Sequence, residues 1–437
     1  MNTFNEIAVE YQSNKVRKED NPFHCWYRFV LSFPPHLVKY YLDRFGIDKN
    51  SLVLDPFSGT GTTLIESKLN GQNSVGIEAN PIARFVTKAK LDWQINTNEL
   101  IDSALDIANK VDKRLKTDGI DDYKLETANL LALRTLPEES SKILLKNSIS
   151  PIPLHKSIIL IEEIKRYNNE RLRDHLLIAS LKTIISDLSN LKFGPEVGLG
   201  KIKTDASILG PWLENVNQIK EDIDFMTGGN ETTLSEIHLG DARIANQYLA
   251  PNSINAVITS PPYPNEKDYS RTTRLENVLL GLITNLHDLR GLKKTFVRSN
   301  TRSVYRDDSD HLYVRDIKSI QSIAHQIEKR RIELRKTSGF EKMYSKVTLQ
   351  YFGGMAKHLT NLRNCLEPGA KLAYVVGDQA SYLRVMIRTG QLLAEISEKL
   401  GYKVLDLELF RTRFATRSKE ELREEVLILE YKGENGK

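Results

Sequence analysis

The sequence predicts a doubly wound α/β fold: a mainly parallel sheet with helices on both faces, a reversed strand in a C-terminal hairpin, and two mainly helical insertions. Three observations carry this. Short β-branched runs closed by turn residues recur along the chain, amphipathic helical stretches separate them, and the last two runs read as the arms of a hairpin. At 437 residues the chain can bury a full core and still carry sizeable insertions.

Taken in order, SLVLD (51–55) reads as a buried strand entering a Gly-rich turn. The helix after it starts near Thr62, runs through TTLIESKLN (62–70) and ends at Asn70-Gly71, a C-cap pair. SVGIE (74–78) is the second strand, and IHLGD (237–241), NAVITS (255–260) and AKLAYVVGD (370–378) are the next three. KVLDLELF (403–410) and EEVLILEY (424–431) form the hairpin and bring the set to seven. Between the second and third strands, roughly 96–233, the pattern is mostly polar helix with Pro- and Gly-containing breaks, and LLIASLKTIISDLSNL (176–191) forms its apolar core. A second insertion, about 286–345, follows the fourth strand and is rich in Arg and Lys. The expected division is therefore a sheet-bearing unit in three pieces, 1–94, 234–285 and 346–437, interrupted by a helical insertion at 95–233 and a basic one at 286–345. No internal repeat or low-complexity tract is present in the sequence.

Composition narrows the class. Forty per cent hydrophobic and 27% charged residues describe a folded globular protein, and a formal net charge of +5 is compatible with a polyanionic partner. With only Cys25 and Cys365, a disulfide scaffold or a thiolate zinc cluster is not expected, nor any metal. MNTFNEIAVEYQSNKVRKED (1–20) lacks the apolar core of a signal peptide, and no apolar run is long enough to span a bilayer, so no membrane and a cytoplasmic location are expected.

The first chemical constellation is Asp55-Pro56-Phe57-Ser58-Gly59-Thr60-Gly61-Thr62-Thr63, where the first strand turns into a helix. Glycines there let the backbone approach a ligand, and the exposed N–H groups of the helix start favour a carboxylate or phosphate. No Lys follows the glycines, which disfavours a Walker phosphate loop, and the missing third glycine leaves the dinucleotide fingerprint incomplete. Glu78 ends the second strand, where an acid in this architecture accepts hydrogen bonds from both ribose hydroxyls of an adenosine cofactor. NAD and S-adenosylmethionine both carry such a ribose; an acid here also serves as a cap for the helix starting at Asn80-Pro81. The discriminating element is Thr259-Ser260-Pro261-Pro262-Tyr263. Two prolines at the carboxyl end of a buried strand cannot continue a ladder, so the chain must leave the sheet there with a rigid, exposed carbonyl, facing the same crevice as the Gly-rich turn.

DPFSGTGTT, GIEANP, GDAR and TSPPY resemble the cofactor and catalytic motifs of the DNA amino-methyltransferases, and SPPY in particular is similar to the N4-cytosine-specific branch. FHCWYRFVLSFPPHLVKYYL (23–42) resembles the family segment that closes over the methionine end of the cofactor. The likeness covers most of the catalytic core and neither insertion. It implies a Rossmann-like methyltransferase sheet with S-adenosylmethionine as cofactor. Asp55, Pro56, Phe57, Gly59, Gly61, Thr62 and Thr63 would serve the methionine moiety and the turn around it, Glu78 the ribose, and Asp241 with Ala242 the adenine edge. Asp241 also has a plain reading as a turn residue after the third strand. One departure is the order of the motifs: in many relatives with this glycine motif the Pro-Pro motif comes first, whereas here the cofactor half precedes it.

Chemistry explains the residue types. The lone pair of the exocyclic amine of cytosine is delocalised into the ring, so hydrogen bonds accepted by the Ser260 hydroxyl and the Pro261 carbonyl would localise it for in-line attack on a sulfonium methyl. The target atom is paired inside double-stranded DNA, so the base must be flipped into the pocket, where Tyr263 can stack on it. The resemblance thus implies site-specific methylation of cytosine N4, with a restriction or related defence protein as the associated system. Adenine N6 is the first alternative; an RNA or protein-glutamine enzyme, for which Asp or Asn is expected before Pro-Pro, and a non-catalytic nucleic-acid-binding relict are the others. For sequence readout, RSNTRSVYRDD (298–308) reads as an Arg-bearing flexible loop, with Arg298, Arg302 and Arg306 as the expected DNA contacts. The run Lys329-Arg330-Arg331 reads equally as a solvated helix face, and NLKFGPEVGLGKIK (190–203) is the competing recognition loop.

Overall fold

A computed structural model describes residues 17, 19–27, 33–124, 133–194, 196–226, 229–230, 232–264, 267–415 and 420–433. Most of the N-terminal stretch read above for its lack of an apolar core, residues 28–32 of the 23–42 segment, and Pro195 of the competing loop lie outside them. The strands are β1 (Leu52–Asp55), β2 (Asn73–Glu78), β3 (Leu191–Lys192), β4 (Gly198–Leu199), β5 (Ser235–Leu239), β6 (Ile254–Thr259), β7 (Leu366–Gly377), β8 (Tyr402–Ala415) and β9 (Glu420–Tyr431). Seven of them form one sheet in the order β5-β2-β1-β6-β7-β9-β8. All neighbours are parallel except around β9, which runs against both β7 and β8. This is the mainly parallel sheet with a reversed hairpin strand that the sequence predicts. The order changes direction between β1 and β6, and at such a switch point the loops leaving the two strands part and open a crevice at the carboxyl edge.

The side-chain period of two divides the sheet into its faces. Leu54, Val257, Leu372, Tyr374, Leu427 and Leu429 belong to one apolar layer, and Val53, Ala256, Ile258, Ala373, Val375, Val426 and Ile428 to the other. The helices are α1 (Pro35–Phe45), α2 (Thr62–Leu69), α3 (Pro81–Leu91), α4 (Thr97–Thr117), α5 (Glu138–Lys142), α6 (Pro151–Lys165), α7 (Glu170–Thr183), α8 (Leu209–Met226), α9 (Arg274–Leu279), α10 (Leu286–Thr295), α11 (Lys318–Glu333), α12 (Tyr344–Leu362) and α13 (Thr389–Lys399). Phe352, Met355 and Leu359 of α12 and Leu392 and Ile396 of α13 pack in the first layer; Leu37, Val38 and Tyr41 of α1 pack in the second.

The first insertion builds its own apolar layer from α4, α6, α7 and α8, continuous with Leu64 and Ile65 of α2 and Ile82 and Val86 of α3. It also closes around a charge: Lys156 and Asp122 are fully buried, with Lys156 Nζ 3.1 Å from Asp122 Oδ1 and 2.8 Å from Asp205 Oδ1. NLKFGPEVGLGKIK (190–203), read as a loop, instead contains a short antiparallel ribbon of β3 and β4. The sequence from 286 to 345 holds α10, α11 and several 3-10 turns. No helix among the described residues is long and apolar enough to cross a membrane.

Candidate active site

A cavity of about 310 Å³ opens at the carboxyl edge of the sheet, lined by Pro56, Phe57, Ser58, Gly59, Thr60 and Thr62 of the Gly-rich turn, Glu78 at the end of β2, Asp241 and Ala242 after β5, and Ser260, Pro261, Pro262 and Tyr263 after β6. Four motifs separated by up to two hundred positions in the chain thus share one wall. Phe33 and Pro34, from the described end of the 23–42 segment, line it as well.

The turn is held from beneath. Asp55 is fully buried, and its Oδ1 accepts the Phe57 N–H (3.0 Å) and the Thr259 hydroxyl (2.6 Å), which ties the Gly-rich turn to the Pro-Pro turn across the switch point. Burial pushes its carboxyl up to about 6, against the lowering effect of those hydrogen bonds. Gly61 has φ +87° and precedes the first residue of α2; a Cβ there would lie 2.7 Å from Cγ2 of Thr87, so glycine is required both for the left-handed backbone and for the space. Thr63 donates to the Ile258 carbonyl (2.9 Å). Asp55, Gly61 and Thr63 therefore stand behind the cavity wall and position it, while the other residues of the motif face the space.

Glu78 is half-buried and holds two backbone groups, Gly59 N–H on Oε2 and Asn80 N–H on Oε1, both at 2.7 Å. The capping reading and a position on the cavity wall coexist, because each carboxylate oxygen keeps a second lone pair. Burial raises the carboxyl to about 7, the two N–H bonds pulling the other way. Asp241 caps the turn at Ala242–Gln247 through the Arg243 N–H (2.9 Å), and its carboxylate also pairs with the Arg243 guanidinium (2.6 Å from Oδ2). Arg243 is buried and reaches on to Asp310 (2.5 Å) and the Lys294 carbonyl (2.6 Å). The turn reading of Asp241 is realised in this way, in a network that the sequence did not disclose.

His358 of α12 is fully buried beneath this turn. Burial lowers its pKa to about 4, so the ring is neutral: Nδ1–H donates to the Ala242 carbonyl and the Tyr374 hydroxyl donates to Nε2, both at 2.8 Å. Its edge meets Phe57, with ring centroids 5.0 Å apart.

At the Pro-Pro turn, Ser260 Oγ–H donates to the Val375 carbonyl of β7 (3.2 Å), and the Tyr263 N–H donates to the Tyr269 hydroxyl (3.1 Å). The Tyr263 ring lies over Gly377, where a Cβ would stand 2.9 Å from ring carbon Cε2. Burial and then the nearby Glu424 charge raise the Tyr263 phenol, so it stays protonated. Lys267, Tyr269, Phe296, Phe410, Arg411 and Glu424 complete the far wall and were not singled out from sequence. No local pattern marks them: Lys267 and Tyr269 follow the Pro-Pro turn closely in the chain, Phe296 comes with the second insertion, and strand register brings Phe410, Arg411 and Glu424.

The three arginines expected to contact DNA divide. Arg298 is 3% exposed, pairs with Asp308 (2.7 Å) and donates to the carbonyls of Lys293 (2.9 Å) and Phe296 (2.5 Å). Its expected role in DNA binding is therefore corrected: the guanidinium is consumed in holding its own segment. Ser299, Asn300, Thr301 and Ser303 are buried too, so 298–308 is a packed element and not the flexible loop expected. Asn300 Nδ2 donates to the Lys267 carbonyl (2.9 Å) and Tyr382 donates to the Ser299 carbonyl (2.9 Å). Arg302 and Arg306 are exposed. Among the described residues no group of three or more His, Cys, Asp or Glu side chains could hold a metal.

Sheet order, reversed hairpin strand and a crevice bounded by a Gly-rich turn and a strand-end acid together define a Rossmann-like methyltransferase fold. Residues 5–87 match the family model described as DNA methylase. The chain is 28% identical to the Type II methyltransferase M.BsoBI of Geobacillus stearothermophilus, over 94% of this chain and 84% of that protein, and 23% identical to M.AvaI of Nostoc sp., over 91% and 81%. A shorter stretch, 29% of this chain and 23% of its relative, is 30% identical to M.MjaII of Methanocaldococcus jannaschii. These likenesses are to DNA amino-methyltransferases; they support DNA methyltransferase activity and imply S-adenosylmethionine as methyl donor.

Proposed function

We propose that the protein methylates N4 of cytosine at specific sites in double-stranded DNA. The observation that carries this reading is Ser260: a hydroxyl, where adenine-directed enzymes more often place Asp or Asn, stands at the head of the Pro-Pro turn in the same cavity as Glu78. Its hydrogen is engaged by the Val375 carbonyl, so the lone pairs of Oγ are left to accept from a substrate amine.

The cavity fits an adenosine-containing donor. Glu78 offers one spare lone pair on each oxygen for the two ribose hydroxyls, and Asp241 and Ala242 lie beyond it for the adenine edge. Pro56, Phe57, Gly59 and Thr62 bound the methionine end; Asp55, Gly61 and Thr63 position that turn. S-adenosylmethionine supplies a methyl on a sulfonium, an electrophile that needs no metal. Ser260 Oγ and the Pro261 carbonyl accept the two N4 hydrogens and hold the amine lone pair in line. The bound donor would supply the methyl group, its S–C bonding pair staying on sulfur, and the surplus proton of the amine would leave the nitrogen for water. Tyr263 stacks on the flipped base. The division into catalytic pieces and two insertions is part of this reading, with Arg302 and Arg306 of the basic insertion kept as DNA contacts. The Type II names of the relatives favour a restriction–modification setting.

Nucleoside mass spectrometry of unmethylated DNA treated with the enzyme is expected to give N4-methylcytosine. Ser260→Ala should lower turnover by about a hundredfold, the scale for one lost transition-state hydrogen bond, with cofactor affinity unchanged. N6-methyladenine as the product would overturn the cytosine assignment.

A further inference from the structure

We infer that Arg411, fixed by Glu424 on the C-terminal hairpin, is the specificity-determining residue of the target-base pocket and reads the edge of the flipped cytosine beside its N4. This rests on the cytosine reading of the site.

Both residues line the cavity that holds Ser260 and Tyr263. Strand register places them: Gly377 of β7 is opposite Glu424 of β9, and Glu424 is opposite Arg411 of β8. A row therefore runs across three strands from the glycine under the Tyr263 ring to the guanidinium. Cγ of Glu424 would be 3.4 Å from a Cβ at Gly377, so the bare glycine admits ring and carboxylate side by side. A shift in the β8–β9 pairing between Leu409 and Arg411 does the rest. In a regular strand Phe410 and Arg411 would point to opposite faces; with this bulge both border the cavity.

Glu424 Oε2 accepts from Arg411 Nε at 2.6 Å, while its Oε1 is 3.6 Å from Arg413 Nε. Only the Nε edge of the Arg411 guanidinium is thereby used, and its two terminal nitrogens have no hydrogen-bond partner among the described residues. They form a planar fork of donors in the wall of a pocket whose other end accepts an amine. Cytosine matches that arrangement: next to N4 it presents two acceptors, N3 and O2, spaced for a guanidinium. Adenine, with N6 in the same place, offers N1 and then a C–H, so one donor of the fork would face carbon. A fork that meets an acceptor on one base and none on the other discriminates through the unsatisfied donor.

The test is a double cycle on the full-length enzyme, with a duplex carrying one modification site identified beforehand by sequencing methylated DNA. Single-turnover methylation is measured for wild type and Arg411→Met, each on cytosine and on 3-deazacytosine, which lacks the N3 acceptor. Wild type should lose about tenfold on the analogue. Arg411→Met should be slow on cytosine and lose less than about threefold more on the analogue, with S-adenosylhomocysteine affinity unchanged. Equal losses on the analogue for both enzymes, or a uniform fall in DNA affinity without coupling to the base, would make Arg411 a phosphate or structural residue and overturn the inference. Product analysis of wild type separates the two proposals: N6-methyladenine removes the cytosine reading, whereas N4-methylcytosine without coupling removes only the role of Arg411.

Discussion

Glu78 shows how one side chain serves fold and ligand together. Its two backbone bonds were legible in part, since an acid before Asn80-Pro81 caps a helix, but the bond from Gly59 needs the turn to fold back onto β2. Burial raises its carboxyl to about 7 in the ligand-free protein. Ribose hydroxyls donate, so the anion is the binding form, and the protonated form that prevails below pH 7 has lost an acceptor. Affinity for S-adenosylhomocysteine should accordingly rise about tenfold from pH 6 to pH 8, and titration calorimetry of Glu78→Gln should show weaker binding with a flat pH profile. A wild-type profile as flat as that of the variant would remove Glu78 from the ribose.

At the scale of elements, the segment 298–308 is the clearest departure from expectation. Arg with Asn and Ser inside the basic insertion reads as a flexible binding loop, yet Asp308 and three carbonyls draw Arg298 inward. Removing one partner of a buried ion pair leaves the other charge without compensation, which outweighs any lost DNA contact. Arg298→Ala should therefore destabilise the protein by about 3 kcal/mol in chemical denaturation. Arg302→Ala should leave stability unchanged and weaken DNA binding with a shallower salt dependence. Wild-type DNA affinity in Arg302→Ala would turn attention to the β3–β4 ribbon of the first insertion.

For the whole molecule, the first insertion is joined to the cofactor side by the N-terminal segment. Asp222 of α8 accepts the Phe23 N–H (3.0 Å) and the Trp26 indole N–H (2.7 Å), Lys90 donates to the Tyr27 carbonyl (2.9 Å), and Tyr27 donates to Glu276 (2.5 Å). Past these anchors the chain reaches Phe33 and Pro34 at the cavity. Asp222→Ala leaves two buried donors unpaired, a loss of about 2 kcal/mol or more. Faster limited proteolysis near residues 23–33 and weaker cofactor binding should accompany it. Unchanged cleavage and affinity would show that the insertion does not hold this segment in place.

What the sequence determined by itself is local: where β1 gives way to the Gly-rich turn, where α2 starts and stops, where two prolines force the chain out of β6, and which two runs close the hairpin. Each follows from backbone rules acting over a few residues, such as φ at glycine, the missing N–H of proline and the alternation of apolar side chains. Tertiary structure decided the partners. Arg243 found Asp310, Arg298 turned inward to Asp308, Asp222 captured Trp26, and Arg411 came level with Gly377 across three strands. An ionic side chain in water carries no sign of its partner; desolvation selects one only when packing brings an opposite charge within reach, and a bulge of a single residue changes which side chain arrives.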